Sequence, residues 1–187
     1  GGYTTAFLNL HYGMPQWLTM PLSGLVGAIF GMILGLPSLR LKGFYLALVS
    51  FTAAAIAEKL VIVFNSVTYG REGLSGIDPI SYSNAGSYYI SIALLLASVC
   101  VLLVIVKSKI GLILRSICDD ETAAIAVGIN TNRYKLMAFL VGSFFGGFWG
   151  SFWAHFMMHI GPEIFGLQMA ITIFMVTIVW GIRSEEH

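Results

Sequence analysis

Charge is what this sequence has least of. Only 10% of its 187 residues are charged, while 57% are hydrophobic and the mean hydropathy is +0.84. Ordinary soluble domains carry roughly 25% charged residues, so a soluble globular fold is excluded and an integral membrane protein is implied. The formal net charge of +1 comes from few basic residues scattered through short loops. No basic patch exists, and nucleic acid is excluded as a partner. No GxxxxGK[ST] phosphate-binding sequence occurs. The two cysteines lie in unlike settings, Cys100 in an apolar run and Cys118 in a polar interruption. They make neither a metal motif nor an evident disulfide.

What is present is long apolar sequence. A helix crossing a bilayer needs about 20 mostly apolar residues. Five segments meet that length: Trp17 to Leu36, Gly43 to Phe64, Tyr88 to Val106, Leu136 to Met158 and Ile164 to Ile182. The fold class expected is therefore all-α, a polytopic membrane helical bundle of about five spans. Gly1 to Leu10 reads as the tail of an earlier span. With no initial Met and an abrupt end after an apolar run, the chain reads as an internal fragment of a longer protein, a truncated single transmembrane domain over 1–187. Whether Arg183 to His187 continues it natively stays open.

Orientation follows from the basic residues. Arg40, Lys42, Lys107, Lys109, Arg115, Arg133, Lys135 and Arg183 fall on one side when the spans alternate, leaving only Lys59 and Arg71 for the other. The segment 107–135 is thus expected in the cytoplasm, and Asn65 to Ser87 outside. The outward loop contains Gly70, Gly73 and Gly76, too irregular for a nucleotide-binding turn and better read as a tight turn at the outer mouth. Small residues recur every fourth position, at Ser23, Gly27, Gly31 and Gly35 and again at Gly142, Gly146 and Gly150, with Ser143, Gly147 and Ser151 alongside. Such rows let helix backbones approach closely in lipid.

The polar interruption from Lys107 to Lys135 separates two apolar runs and holds half of the lysines and arginines. Ile110, Leu114, Ile117, Glu121, Ala124 and Gly128 recur at helical spacing, which predicts a weakly amphipathic helix along the membrane surface. Asp119 or Asp120 is placed to cap a second helical turn, Gly128 to stop it, and Asn130 to Asn132 to cap the next span. The product is a short helix of about Glu121 to Val127, whose small Ala123 and Ala124 permit close approach of another surface. A structural connector and a docking element are equally consistent with these residues.

The acidic residues, Ala123-Ala124, Gly128, Ile129-Asn130 and Arg133-Tyr134-Lys135-Leu136-Met137-Ala138-Phe139 together resemble the cytoplasmic coupling segment of ABC importer permeases, and more narrowly the LivM type of branched-chain amino acid importers. The likeness continues in order through Leu39-Arg40-Leu41-Lys42-Gly43-Phe44-Tyr45-Leu46-Ala47, Gly73-Leu74-Ser75-Gly76-Ile77, Gly161-Pro162-Glu163 and Gln168-Met169-Ala170-Ile171. Two departures stand out. Thr122 occupies the place of a glutamate before Ala-Ala, which passes the acidic role to Glu121 or Asp120, and the glycine-rich stretch usual after the last span is replaced by Ile182 to His187.

The resemblance implies a multi-pass subunit of a bacterial-type inner membrane that forms a transport pathway and is not an enzyme. Its implied partners are two ABC ATPase subunits, a second permease subunit and a periplasmic or lipid-anchored substrate-binding protein. The chain itself would bind no cofactor; ATP would be held by the ATPases. The coupling residues it implies are Asp119, Asp120, Glu121, Ala123, Ala124 and Gly128. A urea or short-amide importer is the nearest alternative, with an ion-coupled carrier or a membrane metalloenzyme further off.

For a zwitterionic substrate, pathway contacts are expected from Glu58, Ser50, Thr52, Gln168 and Thr172, with Thr177 a further hydroxyl. Intramembrane ionisable groups usually face protein or water, and Lys59 can extend to the interface where Glu58 turns inward. Hydroxyls within spans also bond their own helix backbone. His155, His159 and Glu163 share a helical face at zinc-like spacing, but Phe156, Met157 and Met158 stand where a zinc protease needs its glutamate, and the histidines read better as interfacial rings, with no metal.

Overall fold

The computed structural model describes residues 1–38 and 44–182. In chain order the elements are α1 (Gly2–Tyr12), α2 (Gln16–Ser38), α3 (Phe44–Val63), α4 (Asn65–Thr68), β1 (Leu74–Ser75), α5 (Asn84–Lys107), α6 (Lys109–Asp119), α7 (Glu121–Ala126), α8 (Thr131–Met157), β2 (His159–Ile160), a 3₁₀ turn (Pro162–Phe165) and α9 (Leu167–Ile182). Helix dominates, as an apolar chain requires in lipid, where every backbone group needs an internal partner. The elements sort into two compact units, 1–40 with 76–158 and 41–75 with 159–187.

In the first unit α2 and α8 pack backbone to backbone. A Cβ added at Gly27 would lie 2.6 Å from the Ser143 carbonyl oxygen and 3.0 Å from the Gly147 Cα, and one at Gly147 would collide with the Ser23 carbonyl. The row of α8 that meets α2 is thus Ser143, Gly147 and Ser151. Among the described residues, nothing lies within 4 Å of a Cβ built at Gly142 or Gly146, which the sequence pattern put in the same role. Met20, Ile80 and Phe152 form a buried apolar cluster, flanked by Ile90, Leu94, Phe148 and Trp149. By contrast α5 leaves Leu95, Leu96, Val104 and Val106 at least half exposed, a surface suited to lipid or to another subunit.

Three described helices are long and apolar enough to cross a membrane: Gln16–Leu36, Ala85–Lys107 and Thr131–Met157. The last begins five residues ahead of the Leu136 expected from hydropathy, because its capping residue lies at Asn130. The other two expected spans coincide with α3, of 20 residues, and α9, of 16. At 1.5 Å per residue the described part of α9 reaches about 24 Å, short of a hydrocarbon core of about 30 Å. Leu39 to Gly43 and Arg183 to His187 lie outside the described residues, and with them Arg40, Lys42 and Arg183.

In the second unit β1 and β2 pair antiparallel, Leu74 opposite Ile160 and Ser75 opposite His159. Gly73, at φ 70°, leads into this pair, and a Cβ there would strike the Ile160 carbonyl. The glycine-rich loop is a tight turn, as its irregular spacing suggested.

Candidate functional site

The polar interruption folds as two helices. Helix α5 stops at Ser108, whose hydroxyl donates to the Ile105 carbonyl at 2.6 Å, and α6 starts with the next residue. Helix α6 ends where Asp120 turns extended, at φ −152° and ψ 105°. The Asp120 carboxylate then accepts three hydrogen bonds, from the Thr122 N–H (2.8 Å), the Thr122 hydroxyl (2.7 Å) and the Ala123 N–H (3.1 Å). Between the two aspartates left open as caps, the cap is Asp120. The Thr122 hydroxyl first, then the Ala123 and Thr122 N–H groups, hold its carboxyl below the usual carboxylate range. Thr122 therefore has a role of its own here: it doubles the grip on the capping carboxylate.

Helix α7 closes with Gly128 at φ 84°, the left-handed conformation in which the chain turns out of the helix. The Ile129 N–H reaches back to the Ala124 carbonyl at 3.1 Å. Asn130 then caps α8, its side chain accepting from the Arg133 N–H at 3.3 Å. Lys135, one turn into α8, donates to Glu121 Oε1 at 2.6 Å. The short helix is thus fixed at its start, at its end and to the base of a membrane-length helix.

Of the residues assigned to coupling, Asp119, Asp120, Ala123 and Gly128 are exposed and Glu121 is half-buried. Ala124 is only 4% exposed, so it packs inward and is not itself free to meet a partner. The exposed face of the segment is instead Ala123, Ile125, Ala126 and Val127. Both acids that stood in for the missing glutamate are engaged within the chain, Asp120 in the cap and Glu121 with Lys135. The exposed Ile125 and Val127 escaped sequence reading because their apolar character looks like part of the helix's inner face.

The pathway candidates all lie in the second unit. Glu58 keeps a side chain only 26% exposed, against 72% for Lys59, with Lys59 Nζ at 3.3 Å from Glu58 Oε1. Thr52 donates to the Leu48 carbonyl at 2.8 Å and Thr172 to the Gln168 carbonyl at 2.9 Å, so both hydroxyls satisfy their own helices. Ser50 and Gln168 are exposed. The side chain of Thr177 lies outside the described residues.

A buried polar cluster in the first unit was not anticipated. Thr5, Ser23 and Ser151, all fully buried, meet hydroxyl to hydroxyl: Thr5 donates to Ser151 at 2.6 Å and lies 2.5 Å from Ser23. Thr5 has one hydrogen to give, so Ser23 donates to it. Nearby, His155 Nδ1 lies 2.7 Å from the Asp78 carbonyl and Nε2 lies 2.9 Å from the Thr19 hydroxyl. A carbonyl only accepts, which puts a hydrogen on Nδ1. Asn9 donates to Asp78 Oδ2 at 2.9 Å and accepts from the Asp78 N–H at 3.0 Å. These bonds tie the loop at Asp78 to α1, α2 and α8. His155, read from sequence as an interfacial ring, is a fully buried member of this network, with both ring nitrogens held by protein groups.

Comparison with known proteins agrees with this architecture. Residues 1–184 match the family model described as branched-chain amino acid transport system / permease component. The chain is 28% identical, over 99% of its own length and 50% of the relative's, to the high-affinity branched-chain amino acid transport system permease protein LivM of Salmonella typhimurium. It is 27% identical over the same shares to the LivM protein of Escherichia coli. The chain spans about half the length of these curated relatives. No solved structure matches it. With apolar helices long enough to cross a bilayer and a family model matched along almost all of its sequence, the chain is a multi-pass membrane protein belonging to the branched-chain amino acid transport system permease family.

Proposed function

We propose that this chain is part of the pathway-forming subunit of an ABC importer for branched-chain or related amino acids, and that α7 is the element through which a cytoplasmic ATPase moves it. The observation that carries the second half is the mounting of α7. It is capped by Asp120, closed by Gly128 and clamped to α8 by the Lys135 to Glu121 pair, while Ala123, Ile125 and Val127 stay exposed. A push on that exposed apolar face is transmitted to α8, and the close contact of α8 with α2 carries it onward as a rigid-body movement. Both relatives are branched-chain amino acid permeases, which supports branched-chain substrates over urea or short amides.

The working cycle is alternating access. Two ATPases bind and hydrolyse ATP, a second permease completes the pathway and a periplasmic or lipid-anchored binding protein delivers substrate from the outside. The docking contact has to differ in free energy between the inward and outward states, since a partner shifts an equilibrium only by its differential affinity. Glu58, partly covered within an apolar helix, is the residue of this chain best placed to meet the charge of a zwitterion.

The test replaces Val127 by Glu, and separately Ala123 by Arg, in the complete protein assembled with its ATPases. Leucine uptake should fall about tenfold or more while basal ATP hydrolysis continues, since burying an unpaired charge at an interface costs about 2 kcal/mol or more. Normal uptake by an assembled complex carrying either change would end the docking assignment.

A further inference from the structure

Beside α7, a groove of about 430 Å³ is lined by Ile110, Gly128, Ile129, Asn130, Arg133, Tyr134 and Met137. That volume lies in the range of small-molecule sites, roughly 300 to 1,000 Å³. We infer that this groove binds an anionic phospholipid from the bilayer, with the head-group phosphate on Arg133 and an acyl chain over Ile110 and Met137.

The groove sits where membrane-length sequence begins and ends. Helix α5 reaches its last residue at Lys107, Ile110 lies in the first turn of α6, and Arg133 to Met137 lie in the first two turns of α8. By length and composition, the sequence able to cross a bilayer ends at Lys107 and begins again at Thr131, so the groove lies where apolar sequence gives way to polar. Polarity is graded along the groove in the same sense. Arg133 and Met137 are one turn apart on one face of α8, the cation nearer the helix start and the thioether nearer the apolar span. Tyr134, half-buried beside the groove, has the apolar ring and polar tip characteristic of interfacial positions.

Charge favours an anion. Among the described residues Arg133 makes no ion pair, whereas its neighbour Lys135 is taken by Glu121. Lys109, next to Ile110, adds a second exposed cation. A guanidinium presents two parallel N–H donors that match phosphate oxygens, and juxtamembrane basic residues draw anionic lipid. A zwitterionic lipid places a choline or ethanolamine cation at the same site and gains less. Met137, in the second turn of a membrane-length helix, and the apolar Ile110 across the groove suit a lipid tail better than a water-exposed protein surface. Because the groove shares Gly128 with the segment assigned to ATPase docking, the test is run with and without the ATPases.

The experiment is native mass spectrometry of the complete transporter in non-ionic detergent, titrated with phosphatidylglycerol or phosphatidylcholine, with and without the ATPases. Wild type should retain phosphatidylglycerol about five- to tenfold better than phosphatidylcholine, and Arg133→Gln should remove that preference. Arg133→Lys, which keeps the charge but loses the fork, should fall between them and guards against a folding defect in the Gln variant. A photoactivatable acyl chain should cross-link to Met137 or Ile110. Equal retention of the two lipids, an unchanged preference in Arg133→Gln, or complete displacement by inorganic phosphate would each overturn the proposal. So would lipid retained only without the ATPases and Arg133 protected only with them, which would assign the groove to the ATPase. Loss of the docking function with lipid preference intact would leave this proposal standing.

Discussion

Lys135 Nζ lies 2.6 Å from Glu121 Oε1, joining the first residue of α7 to the second turn of α8 across 14 positions of sequence. Both side chains are about three-quarters covered. This pair makes the short helix an extension of the long one.

The pair should show coupling in a double-mutant cycle. Lys135→Ala and Glu121→Ala are each expected to loosen α7, and the coupling energy should be about 1 kcal/mol, at the upper end for ion pairs near a surface. Hydrogen exchange of the α7 amides provides the measurement. The charge-swapped double variant should recover most of the protection lost in either single reversal. Independent, additive effects would show that the two helices are not joined through this contact.

Asp120 gives α7 a pH dependence. The Thr122 hydroxyl and the N–H groups of Ala123 and Thr122 lower its pKa in the folded chain. A carboxyl whose folded pKa lies below its unfolded value contributes stability that is complete above the unfolded value, about 3.9, and is lost as pH falls through the folded one. The cap is therefore intact at neutral pH, and only acid should release it. Amide shifts of Thr122 and Ala123 should move together on acidification in the wild type. In Asp120→Asn, which caps without titrating, they should stay still.

Much of this segment was legible in the sequence because capping is a local code. The Asp119-Asp120 pair, Gly128 and the stretch Asn130 to Asn132 each announce a helix boundary by residue type alone, and the observed α7 ends within one residue of the expected helix. What was not legible depends on three-dimensional neighbours. Ala124 and Val127 look alike in a helical pattern, yet only the packing of α7 on its surroundings buries one and exposes the other. Thr5, Ser23 and Ser151 come from three separate helices, and nothing in their spacing foretells that their hydroxyls meet. Two rows of small residues ran side by side on α8, and the periodicity of both is the same. The choice between them is made by α2.

That choice leads to opposite outcomes at two glycines five residues apart. A methyl group at Gly147 would press on the Ser23 carbonyl, so Gly147→Ala should force α2 and α8 apart and destabilise by about 1 to 3 kcal/mol. No described residue comes within 4 Å of a Cβ at Gly142, so Gly142→Ala should be neutral or stabilising by up to about 1 kcal/mol through helix propensity. Thermal unfolding of the full-length protein in detergent separates them. Equal losses at the two sites would show that the Gly142 row also packs against something in the full-length protein.

Gly128 isolates backbone strain from packing. Among the described residues nothing lies within 4 Å of a Cβ built there, so a side chain meets no steric obstacle from them, yet φ is +84°. Only the conformation opposes substitution. Left-handed backbone costs an ordinary residue about 1 to 2 kcal/mol, while asparagine tolerates it better. Gly128→Asn should therefore be milder than Gly128→Ala, and Gly128→Val, which is β-branched, should be worst. The amides of Val127 to Ile129 should lose exchange protection in that order, because the Ile129 N–H to Ala124 bond depends on the turn. If α7 is the moving contact, leucine uptake per ATP should decline in the same order. If α7 is only a connector, protection should fall and transport stoichiometry should not.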